Sequence, residues 1–269
     1  MSSFARQHLV VFGCGYVGSA LAREAIARGM KVTALTRNLD RAMTLRALGV
    51  TVLAHELASE AWHGAIVTPV DFVVNTVSAA DSTQDGYRRS YVDGMRSILA
   101  WLEQGGRSID TFVYTSSTGV YPQGEGAEVD EAAPTEHASA TGRVLVESEN
   151  LLRAASRERI KRSFILRLAG IYGPGRHYLL NALRAGATEF SGSPHTRMNL
   201  VHRDDIASAI FACLDAPAEI ASEIFNVSDG APATKRELLE WLAREIGAVA
   251  PTFVAGGEGS ARKGGAPTP

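Results

Sequence analysis

Residues 9–18 read LVVFGCGYVG, an apolar strand that runs straight into Gly13, Gly15 and Gly18, with a helical pattern beginning at Val17. Glycine at the first position permits a tight turn, at the second lets the backbone approach a pyrophosphate, and at the third lets helix and strand come close together. The helix N-terminus is then left facing the phosphate charge. A glycine pattern alone says little. Here Leu21, Ala25 and Ile26 share one face of the helix, Gly29 terminates it, and residues 31–36 supply a second strand, so the motif sits inside a βαβ unit. Gly13, Cys14, Gly15, Tyr16, Val17 and Gly18 are expected to cradle a dinucleotide.

Strand-compatible apolar runs recur at 8–12, 31–36, 51–53, 71–75, 111–115 and 163–168, and helical patterns at 17–28, 39–48, 84–104, 142–155 and 176–185 separate most of them. Each parallel crossover needs a connection long enough to bring the chain back, so this alternation predicts a parallel sheet covered on both faces. The expected fold is α/β, a Rossmann-type doubly wound parallel sheet, with residues 1–170 as the dinucleotide-binding domain. Beyond residue 170 the pattern loosens. Residues 171–254 are expected to form mainly a smaller C-terminal substrate-binding lobe, with some segments returning to the first domain. There, Asp204 and Asp205 open a helix at 206–214, where acidic side chains suit the positive end of the dipole. Residues 223–227 read as a strand, and Thr234 caps a final helix with Leu238, Leu239, Leu242 and Ile246 along one face. Residues 255–269, rich in Gly, Ala and Pro, carry too little apolar surface to order themselves and are expected to be a disordered tail.

With 45% hydrophobic residues, 21% charged residues and a net charge of -2, the chain offers neither a basic stripe for nucleic acid nor an apolar span for a membrane. The expected partner is a small-molecule substrate. The opening MSSFARQH precedes an apolar strand of only about five residues, too short for a signal h-region or a membrane span, so the protein is expected in the cytoplasm. Cys14 and Cys213 have neither the number nor the spacing for a disulfide framework and are expected to stay reduced. The seven histidines show neither HExxH nor paired Cys/His spacing, so no metal site is expected. The absence of GxxxxGK[ST] and GxSxG sets aside P-loop and serine hydrolases.

The second strand ends in Thr36, Arg37 and Asn38, with no carboxylate before Asp40. A carboxylate there would bond the ribose 2′-hydroxyl of NAD, whereas an arginine accommodates the 2′-phosphate of NADP. Arg37 tilts the expected cofactor to NADP, with NAD as the alternative and a solvated surface arginine as the plainer account. Asn75, Thr76 and Val77 close the fourth parallel strand, where such sheets present ligands, and are candidate adenosine or ribose contacts.

GCGYVG, the SSTGVY of residues 116–121, the LRLAGIYGPGR of residues 166–176, the VHRDD of residues 201–205 and the IFNVSDG of residues 224–230 occur in an order that resembles extended short-chain dehydrogenases/reductases. The chain is similar, over about residues 8–248, to the NAD-dependent epimerase/dehydratase family. The resemblance implies that Ser117 is the active-site hydroxyl that bonds the substrate's reacting oxygen; the plainer account is a hydroxyl closing a strand-end turn. It also implies a tyrosine acid/base and a lysine in YxxxK at the start of the next helix, because a phenol with a pKa near 10 is a poor base unless a cation stabilises the phenolate.

At that place the chain departs from the family. Thr141 stands at the tyrosine position and Leu145 at the lysine position, and no tyrosine or lysine occurs between Pro122 and Ile160. Thr141 reads as a helix N-cap. The resemblance narrows to atypical members that lack the pair. Tyr121 and His137 are the substitute acid/base candidates, followed by Tyr172 and His177, although a tyrosine in such a loop is more often a packing residue and a lone histidine more often structural or exposed. Arg176, in GPGR, is a candidate for an anionic substrate group such as that of a nucleotide sugar, or else a surface charge at a helix start. By analogy with relatives, the helices at 84–104 and 142–155 could pair in a homodimer. Two functions stay open: an NAD(P)-dependent oxidoreductase or epimerase-like enzyme with a non-standard acid/base, and a catalytically silent NAD(P)-binding sensor or scaffold.

Overall fold

Strand β1 (His8–Phe12) is buried at all five positions because it lies inside the sheet with a parallel partner on each side. The computed structural model describes residues 4–124 and 126–254; the tail expected from residue 255 lies outside them. Strands β2 (Lys31–Leu35), β3 (Thr51–Leu53), β4 (Phe72–Asn75), β5 (Ile109–Ser117) and β6 (Ile160–Leu168) follow in chain order. Shorter strands come next: β7 (Gly170–Tyr172), β8 (Glu189–Ser191), β9 (Arg197–Met198) and β10 (Leu200–His202), then β11 (Ser222–Val227), β12 (Ala233–Thr234) and β13 (Thr252–Val254). The main sheet has seven strands in the order β3-β2-β1-β4-β5-β6-β11, and every neighbouring pair is parallel. The order reverses direction at β1 and β4, the switch point at which such sheets open a crevice.

The helices are α1 (Tyr16–Ala27), α2 (Leu39–Ala47), α3 (Gln84–Tyr87), α4 (Gly94–Gln104), α5 (Ala140–Arg153), α6 (Tyr178–Arg184), α7 (Arg203–Leu214) and α8 (Lys235–Ile246). Alternate residues of β1 face opposite layers. Leu9 and Val11 join Leu21 and Ala25 of α1 and Ile206 and Ile210 of α7 in one core, while Val10 and Phe12 join Met95, Ile98 and Trp101 of α4 and Leu152 of α5 in the other. In the second core Trp62 lies 4.8 Å from the Phe12 ring and 5.5 Å from that of Trp101. Each fully buried side chain of this size contributes about 1.5–3 kcal/mol. A separate cluster of Leu179, Leu183, Phe190, Leu239 and Leu242 holds α6 and α8 together. Although late in the sequence, β11 pairs with β6 and α7 belongs to the core of α1.

Three local expectations are corrected. The helix read over 84–104 is interrupted by a π-helical segment at Arg88–Asp93, whose hydroxyls serve the loop after β4: Ser90 Oγ accepts from the Ala80 N–H at 3.0 Å and Tyr91 Oη from the Ala79 N–H at 3.2 Å. Thr141 is not the N-cap of α5. The helix begins earlier, with Ser139 in a non-helical conformation and its Oγ accepting from the Gly142 N–H at 3.1 Å. The helix expected from 176 begins at Tyr178, capped by His177, whose Nδ1 accepts from the Leu180 N–H at 3.3 Å. The reading of Thr234 holds: its hydroxyl and Glu237 form a reciprocal capping box at the start of α8.

Candidate functional site

The turn between β1 and α1 is built by glycines with distinct duties. Gly13 has a φ of +83°, and a Cβ there would lie 2.5 Å from the backbone of Val77. A Cβ at Gly18 would meet the Gly13 carbonyl oxygen and Thr76 Oγ1, both at 2.6 Å, so the helix could not approach the turn. At Gly15 the nearest atom is 3.9 Å away, which leaves its outer side open for a ligand. Helix α1 starts with no side-chain cap and no acidic residue in its first turn. Its N-terminal N–H groups and the positive end of its dipole suit an anion, and this cradle fits a dinucleotide pyrophosphate.

A cleft of about 320 Å³ lies over that turn, lined by Gly13–Tyr16, Val77, His55 and four arginines, Arg37, Arg41, Arg89 and Arg176, with Glu56 as its one carboxylate. Among the described residues none of these four arginines forms an ion pair. Arg37 lines the cleft from the bend after β2. Arg41 in α2 and Arg89 in the π segment were not foreseen. Arg41 enters the cleft through the first turn of α2 and Arg89 through a helical register that periodicity does not reveal.

The remaining residues of the expected cofactor set support the cleft from behind. Cys14 is fully buried, and burial pushes its thiol up to about 12. Val17 is packed into the core beneath α1. Thr76 Oγ1 donates to the Gly13 carbonyl oxygen at 2.8 Å and Asn75 Oδ1 accepts from the Val77 N–H at 3.1 Å. These two side chains hold the turn and the loop after β4, and of the three residues 75–77 only Val77 lines the cleft.

The hydroxyl-bearing segment after β5 is arranged differently. Ser117, half-buried at the strand end, accepts from the Gly119 N–H at 3.1 Å. Ser116 points the other way, donating to Glu149 Oε1 at 2.6 Å. Glu149 and Arg167, 2% and 5% exposed, form a two-pronged pair with Nη2 to Oε2 at 2.7 Å and Nε to Oε1 at 3.2 Å. Arg167 Nη1 also donates to the Tyr121 hydroxyl oxygen at 2.9 Å, and that hydroxyl donates to Asn226 Oδ1 at 2.7 Å. The Asn226 N–H in turn donates to Glu131. Tyr121 is thus tied to an internal network. His137 is exposed on the segment before α5 and is not brought to Tyr121 by any hydrogen bond among the described residues. Leu145 is buried, and Thr141 occupies the first turn of α5 beside Gly142, where a Cβ would come within 2.6 Å of the Gly119 carbonyl oxygen. The helix start therefore abuts the Ser117 turn directly.

Tyr172 contacts His202 and His177 edge to face, with centroids 5.2 and 5.8 Å apart. Both histidines cap helices through Nδ1, and burial holds His177 below the ordinary imidazole value of 6.5. Among the described residues no group of three His, Cys, Asp or Glu could hold a metal ion, and no helix is long and apolar enough to cross a membrane.

The model of the NAD dependent epimerase/dehydratase family matches residues 9–228. Protein YeeZ of Escherichia coli (strain K12) is 30% identical over 251 residues, covering 91% of this chain and 86% of its own. The 2-alkyl-3-oxoalkanoate reductase of Stenotrophomonas maltophilia is 28% identical over 265 residues, with 89% and 76% covered. The UDP-glucuronic acid 4-epimerase of Bacillus cereus, solved in complex with NAD, superimposes with a TM-score of 0.79 over 93% of this chain and 86% of its own, at 17% identity. That last likeness is one of fold.

Proposed function

The chain belongs to the NAD dependent epimerase/dehydratase family, and on that premise we propose that it is an NADP-dependent oxidoreductase or epimerase-like enzyme with a non-standard acid/base. One observation carries the reading: an open glycine turn at an uncapped helix N-terminus shares a cleft with four arginines that form no ion pair among the described residues. The adenosine 2′-phosphate adds a charge of about -1.5 to -2 to that of the pyrophosphate, which Arg37 and Arg41 are placed to meet. NAD, with its bare 2′-hydroxyl, is the alternative cofactor.

Gly13, Gly15 and the first turn of α1 hold the pyrophosphate, and Val77 packs beside the adenosine. When bound, the nicotinamide supplies a hydride acceptor or donor. Ser117 orients the substrate oxygen. The proton role falls to Tyr121, which follows the Ser117 turn and whose hydroxyl accepts from Arg167 Nη1 at 2.9 Å. Its hydrogen must then turn from Asn226 toward the substrate. His137 is the second candidate, from the solvent side.

The substrate is a small molecule. Nucleotide sugars such as UDP-glucuronic acid and 3-oxo acids such as 2-alkyl-3-oxoalkanoates are the two classes to try first, after the relatives' names. Purified protein with NADPH or NADP and either class should change nicotinamide absorbance or yield isomerised product, and Ser117→Ala should lower kcat about 100-fold, the usual cost of removing one donor at a reacting oxygen. A protein that binds NADPH tightly and turns over neither class supports the second reading, a silent NAD(P)-binding sensor, which the lack of any tyrosine or lysine over residues 123–159 favours. A cytoplasmic homodimer pairing α4 and α5 completes the proposal, and light scattering at twice the monomer mass would support its assembly.

A further inference from the structure

Arg176 reaches the cleft on the turn at residues 173–177 that leads into α6, and three observations join that turn to the head of α1. The Tyr16 hydroxyl donates to the Pro174 carbonyl oxygen at 3.0 Å. The Tyr16 ring carries two guanidinium groups, with Arg176 5.2 Å and Arg203 5.1 Å from its centroid. At Gly173, where φ is +144°, a Cβ would lie 2.8 Å from the Tyr16 hydroxyl oxygen and 3.0 Å from His202 Nε2. The turn is seated against Tyr16 with no room for a side chain between them.

The two guanidiniums on that ring differ in their electrostatics. Arg203 is paired with Asp204 at 2.8 Å. Arg176 has no ion pair among the described residues and lines the same wall as the Gly13–Tyr16 turn, where α1 begins uncapped. A guanidinium beside a bare helix N-terminus sets two positive features against one space, an arrangement that repels until an anion enters and then becomes a clamp. Arg37 lies in the bend after β2 and Arg41 in α2.

We infer that Arg176 is a ligand of the cofactor's pyrophosphate and not of the substrate, and that Tyr16 is the positioning residue that holds it there. The inference rests on the dinucleotide reading given above. Because Tyr16 directly follows Gly15, the docked 173–177 turn holds Arg176 beside the backbone proposed to seat the pyrophosphate. An arginine expected at the substrate thereby serves the cofactor.

Calorimetric titration with ADP-ribose and with 2′-phospho-ADP-ribose, which share the pyrophosphate and lack the nicotinamide, separates the possibilities. Arg176→Gln should weaken both ligands by the same factor, about 10- to 100-fold for one charge-assisted contact, with an unchanged unfolding midpoint because Arg176 is exposed. Arg37→Gln should weaken the 2′-phosphorylated ligand alone. Tyr16→Leu, which removes the ring under Arg176, should reproduce part of the Arg176→Gln loss. An Arg176→Gln affinity within twofold of wild type for both ligands overturns the inference and leaves the dinucleotide reading standing, as does a loss confined to the 2′-phosphorylated ligand. If wild-type protein binds neither, the inference and the dinucleotide reading fall together.

Discussion

At the glycine turn, Arg37, Arg41, Arg89 and Arg176 line one cleft with a single carboxylate among them, whereas across the sheet Glu149 and Arg167 meet at 2.7 Å almost wholly out of water. Both regions concentrate charge at the carboxyl ends of the strands. One leaves it unmet and the other closes it internally, through Ser116, Tyr121 and Asn226. Desolvated charge without a partner is costly, so the unmet arginines sit at an open surface and the met pair sits inside. The difference separates a cleft open to the proposed cofactor from a closed network that holds the segment carrying Ser117 and Tyr121.

Breaking the closed network should have the largest effect. Arg167→Leu strands Glu149 without its partner and should cost about 3–5 kcal/mol in urea unfolding. A cost near zero would mean that the network does not hold the loop. Gly13→Ala should follow, at about 2–4 kcal/mol, from its positive φ together with the clash against Val77, and NADPH binding should go with it. On the open side, the Arg37→Gln/Arg41→Gln double substitution should leave stability unchanged and lower NADPH affinity by about 1.5–3 kcal/mol, with NADH unaffected. Equal losses for both cofactors would assign these arginines to the shared pyrophosphate. Tyr121→Phe removes one acceptor from Arg167 and should cost about 1–2 kcal/mol.

The smallest effect is one of pH. Burial holds the His8 imidazole below its ordinary 6.5, against the hydrogen bond to the Pro69 carbonyl, and does the same to His177. The unfolded chain then takes up protons that the folded one refuses, so stability is complete above about pH 6.5 and declines as pH falls through it. Urea midpoints at pH 7.5 and 5.5 should show the decline, and His8→Asn should reduce it.

Legibility in the sequence followed the range of the interactions. The glycine turn, the sheet and the Thr234 capping box are local patterns of backbone conformation and burial, readable from spacing alone. The start of α5 was ambiguous because Ser139 and Thr141 are both capable caps two residues apart. The π segment that carries Arg89 was not legible, since its apolar positions fit an ordinary helix. The union of Arg176 with Tyr16 spans 160 positions and depends on a tertiary contact. The same holds for Glu149 and Arg167, two charges that would normally be assigned to solvent.

The NADP site proposed above rests on the glycine turn and its arginines. Titration of wild-type protein with NADPH and with NADH, followed by dihydronicotinamide fluorescence at fixed ionic strength, tests it most directly. Saturable binding at one site, with NADPH tighter by about tenfold or more, is the expected result. Equal or tighter binding of NADH would contradict the assignment of Arg37 and Arg41, and no binding of either would contradict the site itself.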